Sequence, residues 1–89
     1  MEKHICIKVT GKVQGVGFRY HAQKMANESG IKGFVKNEYD GSVYIEASGK
    51  KENVYQFVNW CYNGSKWAMV EDVEITENTT QHFGHFYIK

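Results

Sequence analysis

The stretch His4-Ile5-Cys6-Ile7-Lys8-Val9-Thr10-Gly11-Lys12-Val13-Gln14-Gly15-Val16-Gly17-Phe18-Arg19 changes hydrophobic period at its glycines. Ile5, Ile7 and Val9 alternate with His4, Cys6, Lys8 and Thr10, which predicts a half-buried strand over His4–Val13. From Phe18 the apolar positions become Phe18, Ala22, Met25 and Ala26, one face of an α-helix that Gly30 is placed to end. The glycine-rich turn between them therefore joins a strand to a helix N-terminus.

Working outward, Ile31–Asn37 and Ser42–Ser48 flank Glu38-Tyr39-Asp40-Gly41, whose Asp-Gly pair signals a hairpin, and Val43, Ile45 and Ala47 give the second arm an apolar face. Past Gly49, Val54, Phe57, Val58 and Cys61 mark a second amphipathic helix ending near Asn63-Gly64. Its start is open between a capping box of Asn53 with Gln56 and an earlier turn at Lys50 or Lys51. Ala68–Thr76 reads as a strand whose apolar positions slip between Val70 and Val73, which predicts a bulge around Glu71 and Asp72. Glu77–Gln81 reads as a polar loop, and His82–Lys89 as a last short strand with Phe86 and Ile88 turned inward. The order β-α-β-β-α-β with an extra C-terminal strand predicts an α+β, ferredoxin-like sandwich: an antiparallel sheet with two helices on one face.

The composition suits one globular domain over residues 1–89, with 42% hydrophobic residues, no proline and 24% charged residues. A chain of this length buries roughly 60% of its unfolded surface. No apolar run approaches the roughly 20 residues of a membrane-spanning helix, and nothing at the start suggests export. Cys6 and Cys61 read as reduced thiols of a cytoplasmic protein. A formal net charge of +1 provides no broad field for nucleic acid or anionic lipid, so anion recognition has to be local.

The local candidate is the glycine turn. Arg19 is the one arginine among eleven Lys and Arg residues, and it stands just inside the helix. Gly15 and Gly17 let backbone N–H groups curl around a point at the positive end of the helix dipole, and a guanidinium offers phosphate a rigid fork of donors. The same glycine pair would equally make a tight connection with no ligand. Asn37, at the end of the strand entering the hairpin, can donate to and accept from a bound water, or serve as a turn residue. His82 and His85 point to opposite faces of a strand, and His4 and His21 have no partner at ligand spacing, so no metal site is expected.

Gly11-Lys12-Val13-Gln14-Gly15-Val16-Gly17-Phe18-Arg19 resembles the signature loop of the acylphosphatases. The resemblance continues through Ala26, Gly30–Asn37, Asp40–Val43 and Gly49, then Phe57, Trp60, Gly64, Val70 and Val73. Phe34 stands where the family often has Trp, Lys36 where it often has Arg, and Ser65 where a proline commonly follows the glycine. The resemblance implies hydrolysis of acyl phosphates to a carboxylate and inorganic phosphate, without metal, cofactor or covalent intermediate. Arg19 and the amides of Gly15, Val16, Gly17 and Phe18 would then bind the phosphoryl group, and Asn37 would orient the attacking water. The expected protein is a cytoplasmic monomer acting on a small acyl phosphate, inhibited by inorganic phosphate, with no nucleic-acid or membrane partner. Two other readings stay open: an RNA-recognition module, whose paired aromatics Lys36 interrupts, and a non-hydrolytic anion-binding or protein-binding module.

Overall fold

The alternation at Ile5, Ile7 and Val9 forms the centre of the sheet. In the computed structural model, which describes residues 2–77 and 83–89, β1 (Glu2–Lys12) is followed by α1 (Phe18–Glu28), β2 (Lys32–Asn37), β3 (Val43–Lys50), α2 (Lys51–Asn63), β4 (Met69–Glu77) and β5 (Phe86–Ile88). The sheet runs β4-β1-β3-β2-β5. β1 pairs antiparallel with β3 and β4, and β2 pairs antiparallel with β3. The extra strand β5 lies parallel to β2, so the sheet is mixed at that edge rather than antiparallel throughout.

Both helices lie on the face carrying Ile5, Ile7, Val9, Val35, Val43, Ile45 and Ala47. There α1 contributes Phe18, Ala22 and Ala26, and α2 contributes Val54, Phe57, Val58 and Cys61 to a continuous core. Fully burying one of the Val, Ile or Phe side chains is worth about 1.5–3 kcal/mol relative to exposure, so this shared face fixes how the helices lie on the sheet. α1 ends in a Schellman motif, with the Ile31 N–H donating to the Ala26 carbonyl at 2.8 Å and the Gly30 N–H to the Asn27 carbonyl at 3.4 Å.

Four details settle or adjust the sequence reading. α2 takes the earlier of its two starts: Lys50 is the N-cap and no side-chain cap forms, so the Asn53–Gln56 box is not used. The bulge forms as expected, since Thr10 faces Asp72 while Gly11 faces Val70, leaving Glu71 as the extra residue. Glu77, expected to open a loop, is the last residue of β4 and pairs with Ile5; the rest of the Glu77–Gln81 loop and His82 lie outside the described residues. Phe86 is buried, but Ile88 is 38% exposed. Alternation puts Ile88 on the same side as Phe86, but at the sheet end, where it lines a cavity rather than the core.

Candidate active site

β1 leaves the sheet at Lys12, and the chain crosses from Val13 to the start of α1 through two left-handed residues, Gly15 at φ 73° and Gly17 at φ 77°. A Cβ added at Gly15 would meet nothing within 4 Å, and one at Gly17 only the His21 ring at ordinary contact distance. Conformation rather than crowding therefore requires these glycines. Gly17 is the N-cap of α1 and supplies no side-chain cap, and the first turn carries no acidic residue. The positive end of the helix is left uncompensated by any carboxylate of its own, as an anion site needs.

The loop is tied down on two sides. Gln14 Nε2 donates to the carbonyls of Glu38 and Ser42 at 2.7 and 2.8 Å, joining the loop to the β2–β3 turn. Ser65 Oγ, buried behind the loop, donates to the Val16 carbonyl at 2.8 Å. The turn is itself braced, because the amide and hydroxyl of Ser42 both donate to Asp40 Oδ1 and Lys8 Nζ lies 3.0 Å from Asp40 Oδ2. Those hydrogen bonds from Ser42, followed by Lys8, hold the Asp40 carboxyl well below the usual carboxylate range.

Asn37 pairs with Val43, whose side chain is in the core, so Asn37 projects to the helix side at the end of β2. Its Oδ1 is buried and has no hydrogen-bond partner among the described residues. A cavity of about 190 Å³ is lined by Gly15, Gly17, Phe18, Arg19 and Asn37, together with Val13, Tyr20 and Ile88. Larger hollows of about 360 and 290 Å³ lie elsewhere, but neither gathers the loop glycines, the arginine and the amide. Arg19 is half-buried, with one guanidinium nitrogen 3.4 Å from the Lys89 carbonyl, a long and exposed bond.

The sequence candidates thus meet in one place: Gly15, Gly17, Phe18 and Arg19 from the loop and α1, and Asn37 from β2. Of the sequence candidates, Val16 does not line the cavity; it packs against the core while its carbonyl accepts from Ser65. Sequence reasoning missed the bracing by Gln14 and Ser65 and the walls supplied by Tyr20 and Ile88. Gln14 lies inside the signature stretch, but its acceptors are backbone carbonyls far along the chain, which no side-chain pattern announces.

The Acylphosphatase family model matches residues 5–88. This chain belongs to the acylphosphatase family. It is 51% identical over 76 residues to an acylphosphatase of Oceanobacillus iheyensis, covering 84% of each chain. The crystal structure of acylphosphatase from Bacillus subtilis superimposes with a TM-score of 0.94 at 39% identity, over 100% of this chain and 99% of that one. An acylphosphatase structure from Coxiella burnetii gives 0.96 at 33% identity, over 99% and 93%. Hydrolysis of acyl phosphates is the function of the acylphosphatase family, and the likeness extends over the whole sheet and both helices rather than over the loop alone.

Proposed function

We propose that this acylphosphatase hydrolyses the carboxyl–phosphate bond at the cavity between the Val13–Gly17 loop and Asn37, with no metal in the reaction and no covalent intermediate. The observation that carries the assignment is the buried Asn37 Oδ1, an acceptor without a partner among the described residues, on a residue that shares its cavity with Gly15, Gly17 and Arg19. A buried acceptor of this kind is ordinarily satisfied by water. Placed beside an anion cradle, that water is the nucleophile.

The amides of Gly15, Val16, Gly17 and Phe18 and the Arg19 guanidinium receive the phosphoryl oxygens. Arg19 gives up its long contact to the Lys89 carbonyl for charge-assisted bonds to phosphate. The water held by Asn37 bonds to phosphorus as the bond from phosphorus to the acyl oxygen breaks, giving a carboxylate and, after the water protons pass to phosphate and solvent, inorganic phosphate. A carboxylate is a good leaving group, so catalysis needs positioning and stabilisation of charge on the phosphoryl oxygens more than a general acid or a strong base.

The loop grips the phosphoryl end, so inorganic phosphate, the product, competes for the same donors. The reading calls for neither nucleic acid nor membrane, and among the described residues no helix is long and apolar enough to cross a membrane. A single-domain monomer in the cytoplasm suits a chain whose cysteines are thiols, Cys61 inside the core and Cys6 on the far side of the sheet. The test is turnover of a small acyl phosphate beside a phosphate monoester, with and without chelator. The acyl phosphate is consumed, the monoester is left almost untouched, the chelator changes nothing, and phosphate raises the apparent KM. Activity lost to chelator and restored by a divalent ion, or faster turnover of the monoester, contradicts the assignment.

A further inference from the structure

The face of the sheet turned away from the helices carries a second group of chemically capable side chains. His4 and Cys6 are two residues apart on β1 and share that face, and Cys6 stands opposite Glu46 on β3. His4 Nε2 lies 3.1 Å from Glu46 Oε1, and the ligand-capable atoms of His4, Cys6 and Glu46 all fall within 4.8 Å of one another. The Tyr44 hydroxyl is 2.8 Å from Glu46 Oε2 and 3.1 Å from Cys6 Sγ. Phe83 stacks on the His4 ring at 5.8 Å with an interplanar angle of 14°, and makes a T-shaped contact with Phe34, whose strand neighbour is Glu46. The His4 side chain is 1% exposed and that of Glu46 13%. An imidazole, a thiol and a carboxylate therefore converge under an aromatic cover.

We infer that His4, Cys6 and Glu46 bind a zinc-class divalent ion. The donor set is one nitrogen, one sulfur and one oxygen, the mixture that borderline ions such as Zn²⁺ and Co²⁺ accept. Bonds of about 2.0 to 2.3 Å at tetrahedral angles place such atoms about 3.3 to 3.8 Å apart. His4 and Glu46 already lie about that close, and the remaining separations, within 4.8 Å, need only modest adjustment. A thiolate and a carboxylate cancel the charge of a divalent ion exactly once, leaving a neutral complex suited to a site shielded by Phe83 and Phe34. Binding releases the Cys6 thiol proton to solvent and breaks the His4–Glu46 hydrogen bond. Glu46 Oε2 keeps the Tyr44 hydroxyl as its donor, and among the described residues three side chains supply the ligand atoms.

The site is separate from the catalytic cavity. The Cys6–Glu46 pair is three residue pairs along the ladder from Val9–Val43, about 10 Å of strand, and on the opposite face. The ion links β1 to β3 and acts on stability rather than on turnover.

Titrating the full chain with Co²⁺ tests the inference. A sulfur-to-cobalt charge-transfer band in the near ultraviolet should saturate at one equivalent, disappear in Cys6→Ser and persist in Cys61→Ala, whose thiol is in the core on the other side. Zn²⁺ should displace the cobalt and raise the unfolding temperature while kcat for a small acyl phosphate stays unchanged. Glu46→Gln, which keeps the shape of the side chain and removes its charge, should weaken cobalt binding by at least about tenfold. In the wild-type protein, the His4 ring signals should shift on adding Zn²⁺, a readout that does not depend on any variant folding. No band at millimolar cobalt, a band that survives Cys6→Ser, or wild-type affinity in Glu46→Gln overturns the site. Because catalysis is read separately, these failures leave the acyl phosphate assignment standing.

Discussion

Replacing Gln14 by Leu removes the two hydrogen bonds that hold the phosphate loop to the β2–β3 turn while keeping most of the side-chain bulk. Each is a neutral amide-to-carbonyl bond, at 2.7 and 2.8 Å, and such bonds contribute about 1 kcal/mol net. Gln14 is half-buried, so water reaches part of what is vacated, and the expected loss is about 1–2 kcal/mol rather than the full penalty for two dry carbonyls. For a domain of this size that lowers the unfolding temperature by about 4–16 °C. The effect on catalysis should be larger than this stability loss suggests. Gln14 bonds to the Glu38 carbonyl, next in sequence to Asn37, so the substitution loosens the loop amides and the water-holding residue relative to one another. A misplacement approaching 1 Å can cost on the order of a hundredfold, so kcat should fall by about ten- to a hundredfold at temperatures where the variant is fully folded. Thermal unfolding followed by circular dichroism, with steady-state kinetics on a small acyl phosphate well below the transition, separates the two effects. A variant with wild-type unfolding temperature and wild-type kcat would show that the loop holds its shape without Gln14.

Arg19→Lys retains the charge but not the planar fork, and should lose about 2.7–4 kcal/mol of transition-state stabilisation, read as a kcat/KM lower by about two to three orders of magnitude. Near-normal kinetics would make Arg19 a surface base. Asp40, with its carboxyl pKa held below its ordinary value of 3.8, contributes stability that is fully present above that value and lost as pH falls through the lower folded-state value. Asp40→Asn should therefore unfold with a shallower acid dependence below pH 3.8 than the wild type, measured by denaturant titration at a series of pH values. Parallel acid profiles for the two proteins would show that Ser42 and Lys8 do not favour the ionised form.

What was legible in the sequence follows from what is local. The alternation of Ile5, Ile7 and Val9, the helical spacing of Phe18, Ala22 and Ala26, and the slipped apolar positions of β4 each record which side of an element is buried. The strands, helices and bulge were readable for that reason. The parallel placement of β5 beside β2 was not, because three residues carry no sign of strand direction and the partner is distant in sequence. The start of α2 stayed open because two capping solutions were locally adequate, and the packing of Val54, Phe57, Val58 and Cys61 is compatible with both. At the site, Arg19, Gly15, Gly17 and Asn37 could be named from residue type and motif, whereas their meeting in one cavity depends on how α1 crosses the end of β2. The His4, Cys6 and Glu46 group was invisible for a related reason. His4 and Cys6 share a strand face, but Glu46 joins them only through the β1–β3 register.

The most direct measurement is a side-by-side determination of kcat and phosphate affinity in Asn37→Ala. Asn37 Oδ1 has no hydrogen-bond partner among the described residues, so its removal should not unbrace the hairpin, and folding is checked by the amide spectrum. Arg19 and the loop amides remain, so inorganic phosphate should bind within about twofold of wild type, while kcat falls by roughly a hundredfold or more through loss of the positioned water. A folded Asn37→Ala protein with full kcat, or one that loses phosphate affinity in step with kcat, would contradict the division of labour between Arg19 and Asn37.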